Sequence, residues 1–195
     1  MKPILFSTPM VQAILDGRKT MTRRVINRMS GVGTITEFGE SGTRGYKWQF
    51  RDKRLKWHDV NDIPPPYSVG DTLWVRETFV DVPDGSYLYQ ADHMYDDCGK
   101  GDFAWHWKPS IHMSREAARL FLEVKKVEVE RLNNISLEGK IAEGFSGCFL
   151  PNLCSEKDTC PDDCFIKLWD ALYAKRGYSW ENNPWVYVIE FKRIV

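Results

Sequence analysis

A short basic segment near the amino terminus carries the residues whose types and spacing best suit chemistry. In residues 17–24, which read GRKTMTRR, Lys19 and Thr22 stand three positions apart. A lysine in a partly dry pocket can lose its proton near neutral pH and act as a base, and a threonine hydroxyl beside it can attack a carbonyl. Three arginines surround the pair: Arg18, Arg23 and Arg24. Arginines can hold a phosphate or a base edge, although the same spacing also fits an ordinary charged surface loop.

A helix is predicted directly before this segment, and it should set the position of the lysine. Thr8 is a good N-cap residue, and Pro9 suits the first helical position. Gly17 stands where a glycine commonly ends a helix. We therefore expect residues 18–24 to form a loop or the start of a strand at the end of this helix.

The rest of the chain alternates short predicted strands with short helices, without a regular strand–helix–strand repeat. Strands are expected at 72–79, at 120–129 with a bulge near Lys125 and Lys126, and at 185–195. Ser114 and Ser136 can each cap a helix. An amphipathic helix is predicted from the spacing of Phe165, Leu168, Trp169 and Leu172. This pattern favours an α+β fold around a curled sheet over a doubly wound sheet.

Length and composition favour one domain covering residues 1–195. The chain has 195 residues, of which 43% are hydrophobic, enough for one well-buried core. No apolar run reaches the roughly 18 residues that a membrane span needs. The first residues, MKPILF, lack the long apolar region and the cleavage pattern of a signal peptide. These features predict a cytoplasmic protein with no membrane partner.

Charge and aromatic content point to a local anion site. The formal net charge is zero, but residues 1–60 contain twelve Lys and Arg against five Asp and Glu. A basic region on a neutral protein suggests a local anion site, or else a solvated face. The eight tryptophans can stack on nucleobases, or they can fill the core.

Further candidate binding residues lie in the middle of the chain. Arg76 and Glu77 stand at a predicted strand end near Trp74, where they could line a cleft and read a base edge, or form an ordinary cross-strand ion pair. Arg115 stands near the start of the short helix predicted at Ser114, where it could bind a phosphate.

Four cysteines form a separate constellation near the carboxyl-terminal part of the chain. They are Cys148, Cys154, Cys160 and Cys164. Four thiolates can hold a structural zinc ion, although this spacing lacks the usual paired CxxC, and free thiols are the alternative. An odd total of five cysteines without a secretory signal argues against a disulfide framework.

Five segments in order along the chain resemble one known family. They are ILDGRKTMTRR (14–24), VGDTLWVRETF (69–79), HWKPSIHMSREAARLFLEV (106–124), LEGKIAEGF (137–145) and NPWVYVIEF (183–191). The set resembles the ASCH family of the PUA-like superfamily, and in particular ASCH proteins of phage and prophage genomes. The additional segments near 27–66, 81–107 and 145–164 make this chain longer than the enzymes of that family.

The resemblance implies a small PUA-like β-barrel flanked by short helices, with loop insertions. One bacterial branch of the family hydrolyses N4-acetylcytidine to cytidine and acetate with a lysine, a threonine and a glutamate. By motif, Lys19 and Thr22 match the first two, and Glu143 matches the glutamate, with Glu138 as second choice. The branch needs no metal or other cofactor for catalysis.

Three functions follow as expectations. The first is hydrolysis of an N-acylated or otherwise modified pyrimidine nucleoside by Lys19, Thr22 and Glu143. The second is a binding module that docks RNA, or less readily DNA, through the arginines named above. The third is a manganese-dependent ribonuclease. All three predict a nucleoside or nucleic-acid partner, and the sequence leaves the oligomeric state open.

Overall fold

The described part of the chain is mixed α and β. A computed structural model describes residues 1–26, 35–40, 48–52, 54, 56–59, 65–93, 106–145 and 162–194. The strands are β1 (Lys2–Leu5), β2 (Met21–Val25), β3 (Ile35–Glu40), β4 (Trp48–Asp52), β5 (Trp57–Asp59), β6 (Thr72–Arg76), β7 (Phe79–Asp81), β8 (Tyr87–Tyr89), β9 (Phe121–Arg131) and β10 (Trp185–Arg193). The helices are α1 (Thr8–Leu15), α2 (Leu137–Ala142) and α3 (Asp162–Tyr173).

A five-stranded sheet in the order β1-β6-β9-β10-β2 organises the core. β1 runs parallel to β6, and the other neighbours are antiparallel. Among the described residues no closed barrel is found, because β1 and β2 are edges of this sheet. The edges nevertheless approach each other, since Arg24 on β2 donates a hydrogen bond to the Leu5 carbonyl on β1 at 2.9 Å. The predicted α+β class is confirmed at this level.

The long strands β9 and β10 form the centre of the sheet, and their pairing contains the predicted bulge. The register shifts between Glu190 and Phe191, which face Lys126 and Val124, so that Lys125 is the extra residue. Bulges bend a strand and increase its twist. This bend lets the sheet curve over its core, in which Val186 and Ile189 are fully buried.

Helix α1 ends as the sequence predicts and begins one residue earlier than expected. Its N-cap is Ser7, in an extended conformation, and Thr8 is the first helical residue. Gly17 then takes the left-handed conformation with φ of +74°, which a residue with a Cβ adopts only with strain. The chain consequently turns directly into β2.

Helix α2 is short and firmly capped. The Ser136 hydroxyl accepts a hydrogen bond from the Gly139 amide at 3.1 Å, as predicted. Glu143 is the C-cap, and Gly144 follows with φ of +101°. By contrast, residues 115–117 form a bend and turn, so the helix expected after Ser114 is absent.

The additional segments carry their own small sheets. Strands β3, β4 and β5 form an antiparallel sheet, and β7 pairs with β8 as a hairpin. Among the described residues no helix is long and apolar enough to cross a membrane.

Candidate active site

The lysine of the basic segment is held where the ends of α1 and α2 meet. The amides of Arg18 and Lys19 both donate to the Ala13 carbonyl at 2.9 Å, which folds the chain back on α1. The Thr20 amide donates to the Ala142 carbonyl at 2.8 Å, and Lys19 pairs with Glu143 as an isolated β-bridge. The backbone therefore brings two residues that are 124 positions apart into direct contact.

The Lys19 side chain is buried and fully engaged. Only 1% of it is exposed, and Nζ donates to three acceptors: Met21 O at 2.7 Å, Glu143 O at 2.9 Å and Glu143 Oε2 at 2.7 Å. The Phe6 ring lies 5.3 Å from Nζ. Burial lowers the pKa of the Lys19 ammonium, although the Glu143 carboxylate opposes this. Lys19 therefore gives up its proton more readily than an exposed lysine does.

The Glu143 carboxylate accepts hydrogen bonds from two cationic side chains. Its Oε1 accepts from Arg23 Nη1 at 3.3 Å, while Oε2 accepts from Lys19. Arg23 is buried as well, and its Nε donates to Glu130 Oε1 at 2.7 Å. The side chains form a continuous chain of charge-assisted hydrogen bonds from β9 through β2 to the end of α2.

Lys19, Arg23 and Glu143 line a cavity of about 340 Å³. That volume lies in the range of roughly 300–1,000 Å³ typical of small-molecule sites. Its polar part comes from Lys19, Thr22, Arg23, Arg24 and Glu143 together with the hydroxyl residues Ser7, Thr78 and Ser110. Its apolar part comes from Leu5, Phe6, Met10, Phe145, Phe165, Leu168, Trp169, Leu172 and Tyr173. A few convergent polar groups thus face a mainly aromatic and aliphatic enclosure.

Helix α3 supplies one whole wall of this cavity. Its contributing residues recur at helical spacing, three or four positions apart, which places them on one face of the helix. Phe165 and Trp169 are stacked with their ring centroids 6.1 Å apart, and Trp169 lies 4.5 Å from Tyr173. The sequence signalled α3 only as an amphipathic helix, and the role of its apolar face in the cavity was missed. Glu130, the partner of Arg23, was missed as well.

The structure brings together only part of the predicted set. Lys19, Thr22, Arg23, Arg24 and Glu143 line the same cavity. Glu138 is exposed on α2 and does not line it, so Glu143 is the better placed of the two glutamates.

Four predicted binding residues lie outside the cavity, namely Arg18, Arg76, Glu77 and Arg115. Arg18 is engaged by Asp16 Oδ2 at 2.7 Å and by the Gly144 carbonyl at 3.0 Å. Arg76 donates to the Ile111 carbonyl and lies 5.4 Å from the Trp74 ring. Arg115 is exposed, with its Nη2 at 2.9 Å from Met1 Sδ. It stands in a turn, so the helix start that was to support its phosphate site is absent.

Glu77 belongs to a different cluster. It is fully buried and pairs with Arg119, not with its neighbour Arg76, through Nε to Oε1 at 2.9 Å and Nη2 to Oε2 at 3.0 Å. Arg119 also donates to Asp92 at 2.6 Å and lies 3.9 Å from the Tyr89 ring. Burial raises the pKa of the Glu77 carboxyl.

The predicted zinc site falls mostly outside the described residues, which include only Cys164 of the four cysteines. Cys164 is buried on α3 and is disulfide-bonded, which departs from the expectation of zinc-bound or free thiols. A sulfur in a disulfide is not a thiolate ligand, so zinc binding would require Cys164 in its reduced form. No group of three or more metal-ligating side chains occurs within the described ranges. The zinc site stays a prediction.

Comparisons with family models, with curated protein sequences and with solved structures gave no match to this chain.

Proposed function

We propose that this protein hydrolyses the acyl group from the exocyclic amine of a modified pyrimidine nucleoside, such as N4-acetylcytidine. The observation that carries the proposal is the buried Lys19–Glu143 pair, joined at 2.7 Å, which lines an aromatic cavity together with Thr22. A lysine and a carboxylate that share a proton can act in turn as general base and general acid.

The first step is removal of a proton by Lys19. Neutral Lys19 accepts it from Thr22 or from a water molecule, and the activated oxygen attacks the acyl carbonyl carbon to form a tetrahedral intermediate. Nζ has three acceptors around it, so it must release one of them to accept a proton. The neutral Met21 carbonyl is easier to release than the Glu143 carboxylate, because charge-assisted hydrogen bonds are stronger.

The second step breaks the carbon–nitrogen bond. The Lys19 ammonium, oriented by Glu143, returns its proton to the leaving nitrogen, and the free exocyclic amine departs. Where water is the nucleophile, the carboxylic acid forms directly. Where Thr22 is the nucleophile, an acyl ester forms on its oxygen, and a water molecule hydrolyses that ester. In both routes one water is consumed, and one carboxylic acid and one amine are released.

The composition of the cavity supports a flat, weakly polar ligand. Phe6, Phe165 and Trp169 offer ring faces against which a nucleobase can pack, and such stacking contributes about 1–3 kcal/mol per base. Arg24, half-buried beside them, supplies a donor for a carbonyl or phosphate oxygen of the ligand.

We also propose that the chain belongs to the ASCH family and has a PUA-like fold. The ASCH-like segments 14–24 and 137–145 supply Lys19, Thr22, Arg23, Arg24, Glu143 and Phe145 to one cavity. The approach of the two sheet edges at Arg24 and Leu5 supports a PUA-like barrel that opens beside this cavity. This meeting of residues distant in sequence supports the proposed family membership.

Release of cytidine from N4-acetylcytidine tests the proposal. Lys19→Met and Glu143→Gln should each lower kcat/KM by about 100-fold or more, the size of a general acid–base contribution. Lys108→Met is the matched control, since Lys108 lies outside the cavity and pairs with Asp81. Thermal unfolding of each variant shows that it is folded.

Each outcome is informative. Loss in both site variants with an active control supports the hydrolase. A loss in Thr22→Val that Thr22→Ser restores assigns the nucleophile to the threonine, whereas an active Thr22→Val assigns it to water. Absence of turnover by the unaltered protein on acetyl and longer acyl cytidines would overturn the proposal, and binding of unmodified RNA would then favour the base-binding module.

A further inference from the structure

Arg23 occupies an unusual position between two carboxylates. Its Nη1 lies 3.3 Å from Glu143 Oε1, and its Nε lies 2.7 Å from Glu130 Oε1. Gly139 makes room for the guanidinium, because a Cβ at that position would lie 3.1 Å from Arg23 Nη2. The guanidinium is thus fixed against Glu143 by close packing as well as by hydrogen bonds.

The charges around Lys19 do not balance while the lysine is protonated. Lys19, Arg23 and Arg24 are three cations, and Glu143 and Glu130 are two carboxylates, so the group carries one net positive charge. All charged residues that line the cavity belong to this group. Asp16 lies outside the cavity and is bonded to Arg18. Loss of one proton from Lys19 makes the group neutral, a favourable change at the buried Lys19 ammonium.

We propose that Arg23 is a positioning residue, which shares the Glu143 carboxylate with Lys19 and thereby keeps Lys19 able to accept a proton. Without Arg23 both oxygens of Glu143 would be available to the lysine, which would then hold its proton firmly. Arg23 acts on Glu143 through a guanidinium, a planar cation with several N–H donors in a fixed arrangement. This inference rests on the proposed hydrolase function for its catalytic meaning, but the proton affinity of Lys19 can be measured without any substrate.

The burial of Lys19 and the positive charges of Arg24 and Arg23 act in the same direction, since all three lower the pKa of the ammonium, and of the two arginines only Arg23 is bonded to Glu143. Glu130 acts against Arg23, because it neutralises part of the guanidinium charge. Its carboxylate is 27% exposed, so its removal disturbs the fold less than removal of Arg23. The two residues therefore provide variants with opposite expected signs.

The test is an NMR titration of the Lys19 Cε signal in protein labelled with ¹³C-lysine, with the signal assigned through Lys19→Met. In Arg23→Gln the titration midpoint should rise by about one pH unit, the size expected for loss of a nearby charge. In Glu130→Gln the midpoint should fall. Arg23→Lys keeps the charge and should restore a midpoint near that of the unaltered protein. Arg193→Gln removes one positive charge outside the cavity and should leave the midpoint unchanged.

The acidic limb of kcat/KM against pH, measured in parallel on N4-acetylcytidine, should move with the NMR midpoint. A merely structural role of Arg23 would lower the rate at every pH without moving the limb. A midpoint that stays in place in folded Arg23→Gln and Glu130→Gln overturns the inference, even if the protein hydrolyses the nucleoside. A midpoint that moves in a protein without turnover upholds the role of Arg23 and overturns the hydrolase. Should Arg23→Gln fail to fold, Glu130→Gln alone decides.

Discussion

Glu143 and Glu77 are both buried and both bonded to an arginine, yet their surroundings differ in one decisive respect. Glu143 accepts from Lys19 as well as Arg23 and lines the cavity. Glu77 accepts two hydrogen bonds from Arg119, whose remaining guanidinium nitrogen donates to Asp92, and it does not line the cavity. The two glutamates thus share burial and charge, and they differ in whether a partner can give up a proton.

This difference shows which kind of ion pair can transfer a proton. A guanidinium keeps its proton, so the Glu77–Arg119 pair holds the end of β6 against the segment before β9 and has no proton to exchange. An ammonium in a dry site can release its proton to a neighbour. Lys19 at the cavity and Glu77 outside it both have shifted pKa values, so a shifted pKa alone does not identify an active site.

The largest expected effect comes from replacing the ammonium of the Lys19–Glu143 pair with a guanidinium, as in the Arg119–Glu77 pair. Lys19→Arg keeps the positive charge beside Glu143 but removes the group that exchanges a proton. We expect kcat on N4-acetylcytidine to fall by about 100- to 10,000-fold, the range of a general acid–base contribution. Lys108→Arg, made at a lysine outside the cavity, should keep full activity. Substantial turnover by folded Lys19→Arg would show that a fixed charge suffices.

The second effect is on stability and concerns the Glu77 cluster. Arg119→Leu leaves Glu77 buried without its partner, and we expect a loss of roughly 3 kcal/mol in the free energy of unfolding, measured by urea denaturation. Lys125→Leu removes a lysine from an exposed pair with Glu123 and should cost less than about 1 kcal/mol. The kcat of Arg119→Leu should remain unchanged; a large fall would mean that this cluster takes part in catalysis.

The third effect distinguishes the two clusters by the sign of their pH dependence. Lys19 has a lowered pKa in the fold, so between that pKa and 10.5 the unfolded chain binds the proton that the folded chain has released, and stability rises with pH. Glu77 has a raised pKa, so from 4.5 up to that pKa the folded chain holds the extra proton, and stability falls as pH rises. Each group contributes a slope of at most about 1.4 kcal/mol per pH unit.

Urea denaturation across the pH range measures both slopes. Lys19→Met should remove the alkaline rise, and Glu77→Gln should remove the acidic fall. Unchanged slopes in both variants would mean that neither group titrates differently in the folded and unfolded states.

Local sequence signals predicted the parts of the fold that depend on nearby residues. Gly17 ends α1, Ser136 caps α2, and the bulge occurs at Lys125, because each depends on backbone conformation within a few positions. The N-cap of α1 was misplaced by one residue, since Ser7 and Thr8 are both good caps. The helix expected at Ser114 failed because a capping residue alone does not stabilise a helix without a sustained apolar face.

A short sequence motif singled out Lys19 and Thr22, whereas contacts between residues distant in sequence left no local signal. Lys19 and Thr22 lie in one short segment, and both line the cavity. The pairing of Arg23 with Glu130 joins residues 107 positions apart, and no local pattern distinguishes Arg23 from Arg18. The aromatic wall on α3 shows only as an amphipathic face, because core and cavity lining have the same helical spacing.

The smallest expected effect compares the aromatic rings beside the two cations. Phe6 lies 5.3 Å from Lys19 Nζ and lines the cavity, whereas Tyr89 lies 3.9 Å from the Arg119 guanidinium carbon and does not. Phe6→Leu should raise KM for the nucleoside by about fivefold or more, which corresponds to about 1 kcal/mol of lost stacking. Tyr89→Leu should leave KM unchanged and lower the free energy of unfolding by about 1 kcal/mol, through loss of its cation–π contact. Steady-state kinetics and urea denaturation of both variants separate the two roles. Equal KM values in the two variants would mean that the nucleobase does not stack on Phe6, and the base would then have to pack against the α3 wall.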